Sequence, residues 1–251
     1  NRTSPIYPLT TLILLSVGQP VVLHGGMRMP IKYGITTAEL FKAIGLRLTG
    51  LTIQEVQDCF HLHGLALIHQ PDHFPLAETL ISYRDEIGKR PPLASMELIW
   101  TAHKGEHLLI SGFVHPPTEE RAKKTLNLLG EVNHISIKGL EGSTDLPISR
   151  ACITGHVHKN HSERIILHAD HYQCSGKDPT WNNLIKWQDD AMAALENKGP
   201  LKKALHWNAG VYLWFSGISA SLEDGLNKAE TLMASGTAKQ TLNQLIDWRA
   251  K

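Results

Sequence analysis

Short runs rich in β-branched residues alternate along this chain with longer stretches of helical period, and that alternation constrains the fold more than any other feature. Residues 20–23, 65–69 ("LALIH"), 107–115 ("HLLISGFVH") and 132–139 ("VNHISIKG") read as strands. The helices between them announce their own ends. Thr36 with Glu39, and Thr52 with Glu55, have capping-box spacing, and the two helices stop at Gly45 and Gly64. The stretch 75–88 opens with Pro75 in its first turn and closes on Gly88, and 118–130 closes on Gly130. A further helix spans 9–17. Residues 150–180 read as irregular and His-rich, and the rest is helical over 181–196, 200–216, 221–235 and 237–249.

Strands separated by helices of this length predict right-handed βαβ units. The fold class is therefore α/β, a largely parallel sheet flanked by helices on both faces, with 1–251 as one domain. A chain of 251 residues, 42% hydrophobic, can bury a core of that size. Its formal charge of +1 provides no global field for nucleic acid or an anionic membrane, so only local clusters could serve there. The three cysteines lack a CxxC spacing, which argues for a reducing compartment and a cytoplasmic location. The apolar run at 9–17 is shorter than the roughly 20 residues a membrane span needs and has no signal-peptide flanks, so it reads as a buried helix. The opening "NRTSPIYP", without an initiator Met, suggests a chain lacking its natural beginning.

Ligands of open α/β sheets sit outside the carboxyl ends of the strands. Two loops fall there, "LHGGMR" after the first strand and "KGLEGSTD" after 132–137. The first either makes a tight turn or presents Gly25 and Gly26 N–H groups to a phosphate, with Arg28 and Lys32 offsetting its charge. In the second, Glu141 and Asp145 either face solvent or hold Mg²⁺ through oxygen. In "GHVHKNHSERIILHADHYQC" (155–174), His156 and His158 would share a strand face, and His161, His168, His171 and Cys174 follow. Imidazole and thiolate suit Zn²⁺, but no spacing matches a standard structural site, and the stretch reads as a polar loop. Trp207 and Trp214, seven apart on a helix, read as packing residues rather than a base-stacking platform.

Taken in order, "HGG" after the first strand, "PDHFP" before a helix ending "YRDEIGKRP", "KGLEG" after a later strand, and "WNAGVYLWFSGISASLEDGLNKAETLMASGTAKQTLNQL" resemble the glycosyltransferase family 3 α/β domain. This is the family of the anthranilate phosphoribosyltransferases, and the C-terminal run is its most specific part. The resemblance implies the large domain of the type IV phosphoribosyltransferase and nucleoside phosphorylase fold, with the N-terminal helical domain missing. It implies transfer of phosphoribose from phosphoribosyl pyrophosphate to an amine acceptor, as in tryptophan biosynthesis, with Mg²⁺, and a homodimer when full length.

Carried over residue by residue, the resemblance assigns phosphate and substrate binding to His24, Gly25, Gly26, Arg28, Lys32, Arg84 and Arg90, and metal binding to Glu141 and Asp145. Several positions depart from the pattern. Leu23 replaces a lysine, Gly26 an asparagine, Pro30 and Ile31 two serines, Ala94 an asparagine and Phe74 a histidine. "PIYP" (5–8) replaces a pyrophosphate-contacting segment with residues that include two lacking an N–H. The adjacent Asp-Glu pair expected for Mg²⁺ aligns with Thr144 and Asp145. Losing several charge-assisted bonds of roughly 1–3 kcal/mol each weakens the standard reaction. Such a pattern resembles a divergent subgroup associated with binding nucleic acid, so the alternative is a non-catalytic protein whose Arg28, Lys32, Arg84, Lys89 and Arg90 hold single-stranded nucleic acid.

Overall fold

A computed structural model describes residues 2–29, 33–88, 93–159 and 161–250. Helix α1 (Tyr7–Leu15) is mostly apolar, and its residues Pro8 to Leu15, Thr10 and Thr11 included, are all buried. It packs against the three C-terminal helices and forms the centre of the main core. No described helix is long and apolar enough to cross a membrane.

Strand β1 (Val21–Gly25) leads to α2 (Thr37–Ala43) and α3 (Ile53–His63). Both capping boxes form: Thr36 and Thr52 accept the N–H of Glu39 and Glu55, whose carboxylates reach back to the cap N–H. Gly64 ends α3 at φ +73, a left-handed conformation that favours glycine. Strand β2 (Leu65–His69) then pairs with β1 in parallel, Val21 opposite Leu65 and Gly25 opposite His69.

The stretch expected as one helix over 75–88 is broken. After α4 (Gln70–His73) come α5 (Pro75–Glu78) and α6 (Ile81–Ile87), separated at Thr79 and Leu80, where the Thr79 hydroxyl donates to the Leu76 carbonyl (2.8 Å). A short α7 (Leu93–Met96) precedes β3 (Leu109–Gly112), α8 (Pro116–Leu128) and β4 (Asn133–Ile137). Strands β3 and β4 are parallel, as the βαβ reading requires.

Beyond that point the sheet becomes mixed, and the reading of 150–180 as irregular is corrected. Residues 152–167 are an antiparallel hairpin, β5 (Cys152–His158) and β6 (His161–Leu167), and β5 pairs antiparallel with β4. The described strands thus form a parallel pair, β1-β2, and a mixed sheet in the order β3-β4-β5-β6. Two residues join β5 to β6, a connection that only antiparallel strands can use, and Lys159 takes φ +52 there.

Four helices complete the chain: α9 (Leu184–Leu195), α10 (Lys202–Phe215), α11 (Leu222–Ser235) and α12 (Thr237–Arg249). Trp187 and Trp207 are fully buried, and Trp214 stacks on Phe215, so the C-terminal tryptophans serve packing. Helices α10 and α11 meet through Gly210 and Gly225. A Cβ on Gly225 would fall 2.3 Å from the Gly210 carbonyl oxygen, so the "NAG" and "EDG" glycines are a contact between helix backbones.

Candidate functional site at the strand carboxyl ends

The parallel pair places Gly25 and His69 side by side at the carboxyl ends of β1 and β2. His24, one residue earlier, packs on Trp100 with ring centroids 4.9 Å apart, and Phe74 meets the same indole at 6.1 Å. Burial lowers the His24 pKa, so its ring is neutral at pH 7 and adds no positive charge to the rim.

Gly25 and Gly26 carry the chain away from the strand. A Cβ on Gly26 would lie 2.6 Å from Met29 Cε, so the loop folds its own methionine back across the glycine. Met29 Sδ in turn lies 3.2 Å from Arg84 Nη1, and this brings Arg84, from α6, to the loop. The Arg84 side chain is buried, its Nη1 donates to Glu97 Oε2 (3.0 Å), and its Nε has no partner. Arg28 turns elsewhere. Its Nε and Nη2 both meet Glu39 Oε1 at 2.7 Å, while Glu39 Oε2 serves the capping box at Thr36. Lys32 and Arg90, with Lys89, lie outside the described residues.

Glu141 and Asp145 sit on the loop after β4, and both face the N-terminal segment. Glu141 Oε1 accepts the N–H groups of Arg2 and Thr3 and the Thr3 hydroxyl. Asp145 is 3% exposed; its Oδ2 accepts the Ile6 N–H at the start of α1 (3.0 Å), and its Oδ1 is buried without a partner. Burial pushes the Asp145 pKa up to about 7, against the smaller pull of the Ile6 and Tyr7 N–H groups. The Tyr7 hydroxyl lies 2.8 Å from Thr37 Oγ1, and that oxygen is 3.9 Å from where a Gly25 Cβ would be. Residues 2–7 therefore bridge the two strand-end loops.

Mg²⁺ takes six oxygen ligands and gives up its waters reluctantly. Here one carboxylate is sealed from solvent and held by a helix terminus, and the other already accepts three donors on a single oxygen. Glu141 and Asp145 do not fit that ion as a pair.

Several residues that shape the rim carry no motif of their own. Trp100, Thr37 and Glu97 are found only through the contacts above. Asn208 is another. Its Oδ1 accepts the Leu146 N–H (2.8 Å) and its Nδ2 donates to the Leu146 carbonyl (3.1 Å), while the Tyr212 hydroxyl donates to the Thr144 carbonyl (2.6 Å). Both belong to the "NAGVY" run, so this run holds the loop that carries Asp145.

The fold is that of the large α/β domain of the type IV phosphoribosyltransferase and nucleoside phosphorylase fold. Anthranilate phosphoribosyltransferase from Thermus thermophilus superposes on the whole chain with a TM-score of 0.82 at 20% identity, the chain spanning 75% of it. The enzyme from Saccharomyces cerevisiae, in complex with PRPP and Mg, superposes on the whole chain with a TM-score of 0.80 at 14% identity, the chain spanning 70% of it. In sequence, anthranilate phosphoribosyltransferase from Chromobacterium violaceum is 25% identical over 250 residues, 98% of this chain and 72% of that protein. The counterpart from Cupriavidus metallidurans is 21% identical over the same span. No protein-family model matches. Over nearly its whole length, then, the chain is similar to anthranilate phosphoribosyltransferases.

Proposed function

We propose that the rim at the ends of β1 and β2 binds a phosphate-bearing ligand of the phosphoribosyl pyrophosphate type, and that the chain supports phosphoribosyl transfer to an amine acceptor. In such a transfer the amine nitrogen bonds to the anomeric carbon as pyrophosphate departs, and the nitrogen sheds a proton. Binding and alignment are what a protein contributes to that step. The set proposed for it is His24, Gly25, Gly26, Arg28, Lys32, Arg84 and Arg90. The observation that carries the reading is the meeting of the Gly25–Gly26 loop and Arg84 at Met29. It brings a buried arginine, whose Nε has no partner, to within 3.2 Å of the methionine side chain that folds back across Gly26. A guanidinium N–H left over in a low-dielectric place favours an anion.

Similarity to curated anthranilate phosphoribosyltransferases over 98% of the chain supports the same reading. The departures weaken the reaction rather than redirect it. Pro5 and Pro8 lack an N–H, and one oxygen of each of the Glu141 and Asp145 carboxylates is taken by backbone donors. The nucleic-acid alternative draws less support, because a formal charge of +1 provides no global field for a phosphate backbone.

The test is calorimetric titration with phosphoribosyl pyrophosphate, with and without Mg²⁺, beside a single-stranded oligonucleotide at several salt concentrations. Saturable binding of the small ligand, weakened at least about tenfold in Arg84→Gln, supports the reading. Absence of that binding, with steeply salt-dependent oligonucleotide binding, overturns it in favour of the alternative.

A further inference from the structure

The His-rich stretch that reads as a polar loop acquires a definite shape in the fold. After β6 the chain makes a tight turn, Ala169–Tyr172, closed by backbone bonds from His171 N–H to the His168 carbonyl (3.2 Å) and from Cys174 N–H to the Ala169 carbonyl (2.8 Å). Ala169 and Cys174 are buried, and Tyr172 packs on Trp207 with centroids 5.9 Å apart, so the turn is anchored at both ends.

On this turn the rings of His168 and His171 stack nearly parallel, 13° between planes and 4.7 Å between centroids. Asp170 points its carboxylate to the same place. One ligand atom from each of the three side chains lies within 4.8 Å of the others. The His168 Nδ1 to Asp170 Oδ1 distance, 3.8 Å, exceeds a hydrogen bond. Among the described residues no hydrogen bond to protein competes for these atoms.

We infer that His168, Asp170 and His171 form a binding site for a borderline divalent transition metal ion such as Zn²⁺, separate from the strand-end rim. Bonds of about 2.0–2.2 Å from imidazole nitrogen and carboxylate oxygen to a tetrahedral ion put ligand atoms roughly 3.3–3.5 Å apart. To bind one ion the two stacked rings must turn so that a nitrogen lone pair of each meets the same point, a side-chain rotation on a turn whose backbone is already fixed. Two imidazoles and one carboxylate select Zn²⁺, Ni²⁺ or Cu²⁺ over Mg²⁺ and Ca²⁺, which prefer oxygen alone. Asp170 and His171 are exposed, and the remaining coordination positions go to water. The same turn delivers Tyr172 and Cys174 to the wall of a cavity of about 640 Å³ between α10 and α11, so the ion would stiffen that wall.

The test is calorimetric titration of the whole chain, stripped with EDTA, with ZnCl₂ and separately with MgCl₂. Variants His171→Asn and Asp170→Asn report on the site, and His156→Asn/His158→Asn, on the β5 face, is the control for scattered histidines. Quenching of tyrosine and tryptophan fluorescence by Cu²⁺ gives a local readout through Tyr172 and Trp207. Binding of one Zn²⁺, weakened at least about tenfold in the site variants and unchanged in the control, is expected, with no heat from Mg²⁺ that the site variants abolish. Equal Zn²⁺ affinity and stoichiometry in wild type and His171→Asn would overturn the inference. So would equal loss in the control double variant.

Discussion

Asn208 grips the backbone of Leu146, 62 positions earlier, from both sides: its Oδ1 accepts the Leu146 N–H at 2.8 Å and its Nδ2 donates to the Leu146 carbonyl at 3.1 Å. The side chain is fully buried, and Nδ2 also donates to the Ala204 carbonyl (2.9 Å). Replacement by Ala strands both backbone groups of Leu146 where water does not reach. Asn208→Ala is expected to lower unfolding free energy by more than about 2 kcal/mol, measured by urea denaturation, because buried unpaired groups cost about 1–3 kcal/mol each. A loss below about 0.5 kcal/mol, the usual size for surface substitutions, would show that the loop is held by other contacts.

Asp145 makes folding depend on pH. Its folded-state pKa, about 7, stands above the ordinary carboxylate value of 3.8, so the folded protein holds this proton more tightly than the unfolded chain. The stabilisation is fully present below about pH 4 and is lost as pH rises through about 7. Tyr7 and Tyr212 face the same carboxylate, and their own pKa values are raised by burial and its charge. Asp145→Asn keeps an acceptor for the Ile6 N–H and removes the titration. Thermal melts should therefore show variant and wild type alike in mild acid, with the variant the more stable above about pH 8. Parallel curves across the range would refute the assignment.

Arg84 and Glu97 form an ion pair with both side chains largely out of solvent. Removing one partner leaves the other charge desolvated and uncompensated, which costs about 3–5 kcal/mol. Arg84→Met and Glu97→Met are each expected to destabilise on that scale, whereas the double variant recovers most of the loss. Additive losses in the double-mutant cycle would mean the two residues act independently.

Two glycines at the rim are expected to respond oppositely to an added methyl. At Gly139 a Cβ would fall 2.1 Å from the Ser143 carbonyl oxygen and 2.8 Å from that of Asp145, atoms of a loop backbone that cannot swing away. At Gly26 the nearest clash, 2.6 Å, is with the end of the flexible Met29 side chain. Gly139→Ala should cost more than about 2 kcal/mol in unfolding free energy. Gly26→Ala should cost about 1 kcal/mol or less, because only a methionine moves. Equal costs at the two positions would contradict this account.

The parts of this protein legible in its sequence are those whose physics is local. Thr36 with Glu39 and Thr52 with Glu55 mark helix starts because a cap is completed within four residues, and Gly64 and Gly88 mark ends because φ above zero is a property of one residue. "LALIH" reads as a strand because apolar residues run unbroken from Leu65 to Ile68. The loop after β1 is also legible, since glycines following a strand place it on the rim.

Contacts between distant segments decided the rest. The hairpin escapes a periodicity reading because β6 is exposed over most of its length, with polar residues on both faces, and its pairing comes from the neighbouring strand β5. Arg28 and Arg84 look like free cations until the fold sets Glu39 and Glu97 against them. Asp145 looks like a metal ligand until α1 begins on top of it, and Asn208 looks like any helical asparagine until Leu146 arrives from another element. Charge and hydrogen-bonding capacity are written in each residue. Their disposal depends on burial and on which partner lies within about 3 Å, and those are set only when segments far apart in the chain pack together.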